Sequence, residues 1–82
     1  MPLRPPRQDW PASVYSVDEN FEIVEELAQC ANFGIGYVAY KKALQMRSYS
    51  IVQLCEKGRI VWTAKTGGVD PETGKVTILW EK

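Results

Sequence analysis

Two short turn motifs in the second half of the chain constrain its fold more than any other feature. Lys57-Gly58 forms the first, and residues 70–74, with the sequence Asp-Pro-Glu-Thr-Gly, form the second. Proline presets φ in such a turn, and glycine accepts the left-handed conformation that the turn requires. The segments between the turns are rich in β-branched and aromatic residues. We therefore predict an antiparallel meander of three strands, at residues 51–55, 59–65 and 76–80.

A single amphipathic helix is predicted before the meander. Asn32 is a favourable N-cap because its side chain can accept a hydrogen bond from the first turn. Large apolar residues follow with helical spacing at Phe33, Tyr37, Tyr40 and Leu44, with Val38 and Ala43 beside them. We place the helix at about residues 33–47.

The segment that precedes the helix fits two structures. As a helix, it is capped by Ser16 with Glu19 three residues later, which is a capping-box pattern. As a hairpin, residues 14–17 and 21–30 form the strands and residues 18–20 the turn, where asparagine tolerates a positive φ. Local propensity favours the helix, but a second helix would have to end directly before the first. We predict the hairpin and keep the helix as the alternative.

The element order gives the fold class. We predict an α+β fold in the order β-β-α-β-β-β, with one helix on one face of an antiparallel sheet of four or five strands. Residues 13–82 form this single domain. Residues 1–12 hold four of the five prolines, so we expect an extended tail with Trp10 as its anchor. The core candidates are Phe33, Tyr37, Tyr40, Ile51, Leu54, Ile60, Trp62, Ile78 and Trp80.

Composition argues against several function classes. The chain has 82 residues, a net charge of zero and no histidine, the most common catalytic base and a common metal ligand. We therefore expect no catalytic residue, no cofactor and no metal. No apolar run approaches the roughly 18 residues of a membrane helix. Cys30 and Cys55 are expected to be buried thiols in a reducing compartment, which indicates the cytoplasm.

One glycine pattern resembles a nucleotide-binding motif. Gly34-x-Gly36-x-x-Ala39 begins the predicted helix, and Glu56 follows Gly36 by 20 residues, as in a dinucleotide fingerprint. However, the segment after Glu56 turns back as a hairpin instead of entering a second crossover. We therefore interpret the glycines as positions of close packing and keep nucleotide binding as a third hypothesis.

Charge is segregated along the chain. Residues 16–30 contain five acidic residues and no basic one, whereas residues 41–65 contain six basic residues and one acidic one. We interpret the two segments as faces that attract each other within the fold. The alternative is a dipolar surface that attracts a second molecule.

The sheet face opposite the helix is the predicted partner surface. An exposed apolar sheet face of this kind usually marks an interaction site. We therefore expect a small non-enzymatic interaction or regulatory module that forms a homodimer through its sheet and binds another protein. The candidate surface residues are Val52, Leu54, Val61, Thr63 and Leu79.

The alternative function is binding of single-stranded nucleic acid. Basic residues alternate with aromatic ones in the second half of the chain, as on surfaces that stack bases and neutralise phosphates. The candidate residues are Lys41, Lys42, Tyr49, Arg59 and Lys65, with Trp62 as a second stacking residue.

The run at residues 32–43, followed by residues 51–54 and 58–61, resembles a type of small proteobacterial protein. These proteins have an asparagine-capped, alanine-rich helix followed by a strand pair with an arginine and aliphatic residues after its turn. The resemblance covers about half of the chain. It implies the order hairpin, helix, hairpin, and it implies no function.

Overall fold

The computed structural model describes residues 11–82, which form a five-stranded antiparallel sheet and one helix. The elements are β1 (Ala12–Val17), β2 (Ile23–Cys30), α1 (Phe33–Met46), β3 (Ile51–Glu56), β4 (Arg59–Val69) and β5 (Val76–Glu81). The predicted α+β class and the order β-β-α-β-β-β are confirmed. Most of the predicted tail, including Trp10, lies outside the described residues.

The first two strands form the predicted hairpin, although the turn differs in detail. The Asp18 carboxylate accepts hydrogen bonds from the backbone N–H groups of Asn20 and Glu22, both at 2.9 Å. The positive φ, 62°, occurs at Phe21 and not at Asn20 as expected. Because the turn therefore extends past Phe21, β2 begins at Ile23, two residues later than predicted.

The helix begins and ends close to its predicted limits. The Asn32 Oδ1 atom accepts a hydrogen bond from the Ile35 backbone N–H at 2.8 Å, which confirms the N-cap. Tyr40 and Leu44 are buried against the sheet. Val38, predicted beside the buried stripe, is 66% exposed because it lies on the outer side of the helix.

Gly36 permits a close approach of the helix to the sheet. A Cβ atom at this position would lie only 2.5 Å from the Ala12 Cβ atom. The contact explains why the residue is glycine and supports the packing interpretation at Gly36. At Gly34, which is exposed, a Cβ atom would lie 3.4 Å from the Asn32 Oδ1 atom, so close packing does not explain that glycine.

The sheet has the strand order β2-β1-β3-β4-β5, so β3 is central and β2 and β5 are its edges. The helix packs on one face, and the buried cluster on that face consists of Val14, Tyr40, Leu44, Val52, Leu54 and Ala64. Val52 and Leu54 were expected on the open face. They lie under the helix instead, because the alternation of side chains along β3 directs residues 52 and 54 to the helix side.

The opposite face contains a second buried cluster. It consists of Tyr15, Val17, Ile51 and Cys55, with Ile23 and Trp80 packed against it. Thr63 is also largely buried, so the prediction of a broadly open apolar face is wrong at the centre of the sheet. The exposed apolar residues of the strands lie nearer the edges.

A bulge in β4 moves Ile60 away from its expected position. Leu54 pairs with Trp62 but Cys55 pairs with Ile60, so β4 has one extra residue at this point. The extra residue reverses the alternation, and Ile60 no longer shares a face with Trp62. Ile60 and Ile78 were predicted in the core but are 48% and 41% exposed.

Candidate interaction surfaces

The outer strand β5 exposes apolar side chains at the edge of the sheet. Ile78 and Leu79 are 41% and 59% exposed, and Thr77 beside them is also exposed. The strand carries no charge between Lys75 before it and Glu81 at its end. An edge strand presents backbone N–H and C=O groups that can pair with another strand. In the described part of the chain, β5 therefore combines an edge that no further strand pairs with and an apolar surface.

Glycine in β4 supports this apolar edge. A Cβ atom at Gly67 would lie 2.8 Å from the Thr77 Oγ1 atom and 3.0 Å from the Leu79 Cδ2 atom. Thr77 and Leu79 thus lie directly over the Gly67 backbone. Val69, at the end of β4, adds another exposed apolar side chain at 57%. The Gly67-Gly68 segment contains an irregularity, since β4 gains one residue relative to β5 between Thr66 and Val69.

A hydrogen bond from the helix fixes the end of β5. The buried Tyr40 hydroxyl donates to the Glu81 Oε2 atom at 2.7 Å. Burial raises the pKa of the Tyr40 hydroxyl well above its ordinary value, and the hydrogen bond and negative charge of Glu81 raise it further. The neutral hydroxyl and the carboxylate therefore stabilise each other.

The other edge strand, β2, is different. Its pairing with β1 contains two irregularities, one at Leu27 and one at Val24. Its carboxylates Glu25 and Glu26 add negative charge along the same stretch. Bulges and charges are the features by which edge strands resist pairing with another sheet. β2 is therefore much less suited than β5 to extend the sheet.

An open apolar groove lies between α1 and β2. It has a volume of about 270 Å³. Its lining residues are Leu27, Ala28, Ala39, Lys42, Ala43, Met46 and Arg47. This groove was not predicted from the sequence. Ala39 and Ala43 are small residues at helical spacing, which indicates that the helix leaves space on that side.

The predicted partner residues do not form one exposed surface. Val52 and Leu54 are buried beneath the helix, and Thr63 is largely buried on the other face. Val61 is half-buried within the bulged part of β4. Only Leu79 is well exposed, and it lies on β5 together with Ile78, which the prediction assigned to the core.

The predicted nucleic-acid residues are dispersed. Lys41 lies over the Tyr37 ring on the outside of α1, with its Nζ atom 5.7 Å from the ring centroid. Arg59 and Lys65 are six residues apart on β4, so their Cα atoms are separated by about 20 Å. The Lys42 side chain borders the groove beside β2.

Of the predicted nucleic-acid residues, Tyr49 and Lys65 lie close to each other. They line a polar cleft of about 240 Å³ that also contains Asp18 and Glu19. The Lys65 Nζ atom lies 3.4 Å from a Glu19 oxygen. The nearby carboxylates oppose the approach of a phosphate group. Trp62, the second stacking candidate, packs against Tyr37 at 5.1 Å between ring centroids as part of the core boundary.

Ion pairs join the acidic and basic segments of the chain. Besides Lys65 and Glu19, the Arg47 guanidinium contacts the Glu25 carboxylate at 2.8 Å. These contacts agree with the interpretation that the two segments attract each other within the fold.

Residues 11–82 contain no group of three or more cysteine, aspartate or glutamate side chains arranged to hold a metal ion. The one helix in this part of the chain lacks the length and apolarity needed to cross a membrane. Comparison with known proteins gave no matching family model and no match among the curated proteins or the solved structures.

Proposed function

We propose that this protein is a small, non-enzymatic interaction module that self-associates through strand β5 and acts by binding another protein. The observation that carries the proposal is the exposed, uncharged apolar edge formed by Thr77, Ile78 and Leu79. Pairing of two such edges would satisfy their backbone groups and remove apolar surface from water. Self-association is therefore the simplest use of this surface.

A symmetric pairing of two β5 strands has favourable charge contacts. With Ile78 opposite Ile78 of a second copy, antiparallel pairing places Lys75 opposite Glu81, and the two-fold axis repeats this contact. Shifting one strand by one residue would place Lys75 opposite Lys82 in one direction, where like charges are destabilising, and opposite Trp80 in the other, where the contact with Glu81 is lost. The end charges of β5 therefore favour one register.

The expected dimer is of moderate affinity. A stable protein interface usually buries about 1,200–2,000 Å², and a single pair of six-residue strands provides less than this. We expect dissociation in the micromolar range, at about −8 kcal/mol for 1 μM.

The test is sedimentation equilibrium of the full chain over a concentration series, with the variant Ile78→Lys. A lysine at the centre of the edge should raise the dissociation constant by a factor of about 100, because charge on an edge strand opposes strand pairing. The matched control is Val38→Lys, which makes the same kind of change at an exposed apolar residue of α1. A wild-type chain that stays monomeric at millimolar concentration, or a control that dissociates the dimer equally, would refute self-association through β5.

The proposal places the protein in the cytoplasm. Cys30 and Cys55 lie on strands that flank β1, so about 10 Å separates their Cα atoms, beyond the reach of a disulfide. The two thiols cannot form a disulfide with each other in this fold, which supports a reducing compartment. Nucleic-acid binding is not proposed, because the dispersed basic residues and the acidic residues beside Lys65 provide no single phosphate-binding surface.

A further inference from the structure

We propose that the groove between α1 and β2 is a docking site for a protein segment that carries an aliphatic side chain next to a carboxylate. This site lies at the sheet edge opposite β5 and is independent of the proposed self-association.

The floor of the groove is apolar and made of small side chains. Ala28 on β2 and Ala39 and Ala43 on α1 leave a space between the two elements, and Leu27 and Met46 extend its apolar surface. The volume of about 270 Å³ lies below the 300–1,000 Å³ that is typical of small-molecule sites. It is suited to one or two aliphatic side chains.

Two basic residues, Lys42 and Arg47, line the groove beside its apolar side chains. Arg47 is already engaged with Glu25 at 2.8 Å. Lys42 lines the groove, and no carboxylate within the described part of the chain lies within ion-pair distance of it. The rim therefore has an excess of one positive charge. Charge complementarity favours a ligand with a carboxylate beside its apolar group.

The openness of the groove favours a protein segment over a free acyl chain. Small apolar ligands are usually buried over 70–90% of their surface. The helix and the strand form the sides of this groove, and nothing in the described part of the chain covers the outer side of an occupant. A side chain of a partner protein meets this condition, since the rest of the partner covers its outer side.

The test uses blocked five-residue peptides and amide chemical shifts of the full-length protein. The probe is acetyl-Thr-Leu-Asp-Leu-Thr-amide, and its neutral control replaces the aspartate by asparagine. Decanoate serves as a second probe, because it joins an apolar chain to a carboxylate without a peptide. We expect the aspartate peptide to shift the amides of Leu27, Ala28, Ala39 and Ala43, and the asparagine peptide to bind several-fold more weakly.

Two protein variants locate the contacts. Lys42→Gln should weaken binding of the aspartate peptide about five-fold, the effect of a partly exposed ion pair. The matched control Lys41→Gln removes the neighbouring charge, whose Nζ atom lies over Tyr37, and should leave the affinity unchanged. Ala43→Leu should abolish binding by filling the groove, and its amide spectrum shows directly whether the fold is retained.

Several outcomes would overturn the proposal. These are shifts that map outside the groove, equal losses in Lys42→Gln and Lys41→Gln, equal affinity for the two peptides, or no shifts at millimolar peptide. Binding of decanoate without binding of the peptide would show that the site takes free amphiphiles instead. Because all of these measurements can be made on the Ile78→Lys variant, they do not depend on whether β5 self-associates.

Discussion

Strands β3 and β5 have similar sequences but different surroundings. Each has six residues, with one uncharged polar residue among apolar ones and a glutamate at its end. In β3 every residue but the last is buried, whereas in β5 only Val76 is. The difference shows that the position of a strand in the sheet, and not its local sequence, decides what its side chains contact.

The strand order accounts for the difference. β3 pairs with both β1 and β4, and the helix lies over its Val52 and Leu54 side chains. Within residues 11–82, β5 pairs with β4 alone. Apolar residues of β3 therefore contribute to stability, whereas Ile78 and Leu79 of β5 remain exposed.

The largest expected effect tests this difference with one leucine from each strand. Leu54→Ala should lower the free energy of unfolding by about 3–4 kcal/mol, because it leaves a cavity under the helix. Leu79→Ala should lower it by less than about 1 kcal/mol, because the side chain is 59% exposed. Urea denaturation at a concentration where both variants are monomeric measures the two values. Equal losses would show that β5 is as well packed as β3.

A smaller effect is expected where the helix holds the end of β5. Tyr40→Phe removes the hydrogen bond to Glu81 and should cost about 1–2 kcal/mol, since hydrogen bonds to charged groups are the stronger ones. The measurement is again urea denaturation at neutral pH. Tyr37→Phe is the matched control, because it removes a hydroxyl from the same helix and leaves the contact with Glu81 intact.

The same bond predicts how stability changes with pH. The pKa of the Tyr40 hydroxyl is raised in the folded protein from its ordinary value of 10.0. Above about pH 10 the unfolded chain loses a proton that the folded chain retains, so the free energy of unfolding falls as the pH rises. The decrease in the free energy of unfolding above pH 10 should be smaller in Tyr40→Phe than in Tyr37→Phe. Identical slopes in the two variants would contradict the assignment to Tyr40.

The smallest effect concerns the register of paired β5 strands. Lys75→Glu would place like charges opposite each other in the register centred on Ile78, and should weaken the dimer several-fold at low salt, the effect of exposed charges. The loss should shrink as salt is added, because salt screens exposed charges. Sedimentation at two salt concentrations measures it. Unchanged association at low salt would require a different register.

The candidate sites could be predicted only in part, because the sequence does not show which of the two alternating sets of side chains on a strand faces the helix. In β3 both faces carry apolar residues, so either set could have faced the helix, and Val52 and Leu54 were assigned to the wrong side. One bulge near Ile60 then reversed the alternation in β4. A shift of one residue moves every following side chain to the other face, so surface predictions fail where element predictions succeed.

The sequence by itself determined the helix, the meander that follows it and their order, whereas the segment before the helix fitted either a hairpin or a second helix. Turn residues fix where the chain reverses, Asn32 fixes where the helix begins, and both act through local backbone geometry that the sequence encodes directly. The tertiary structure decided the strand order, the bulges, the face that the helix covers and the groove beside β2. These features depend on contacts between residues distant along the chain, such as Tyr40 with Glu81 and Gly36 with Ala12. Burial and exposure follow from such contacts, which is why the candidate surfaces on β5 and beside α1 became visible only in the folded chain.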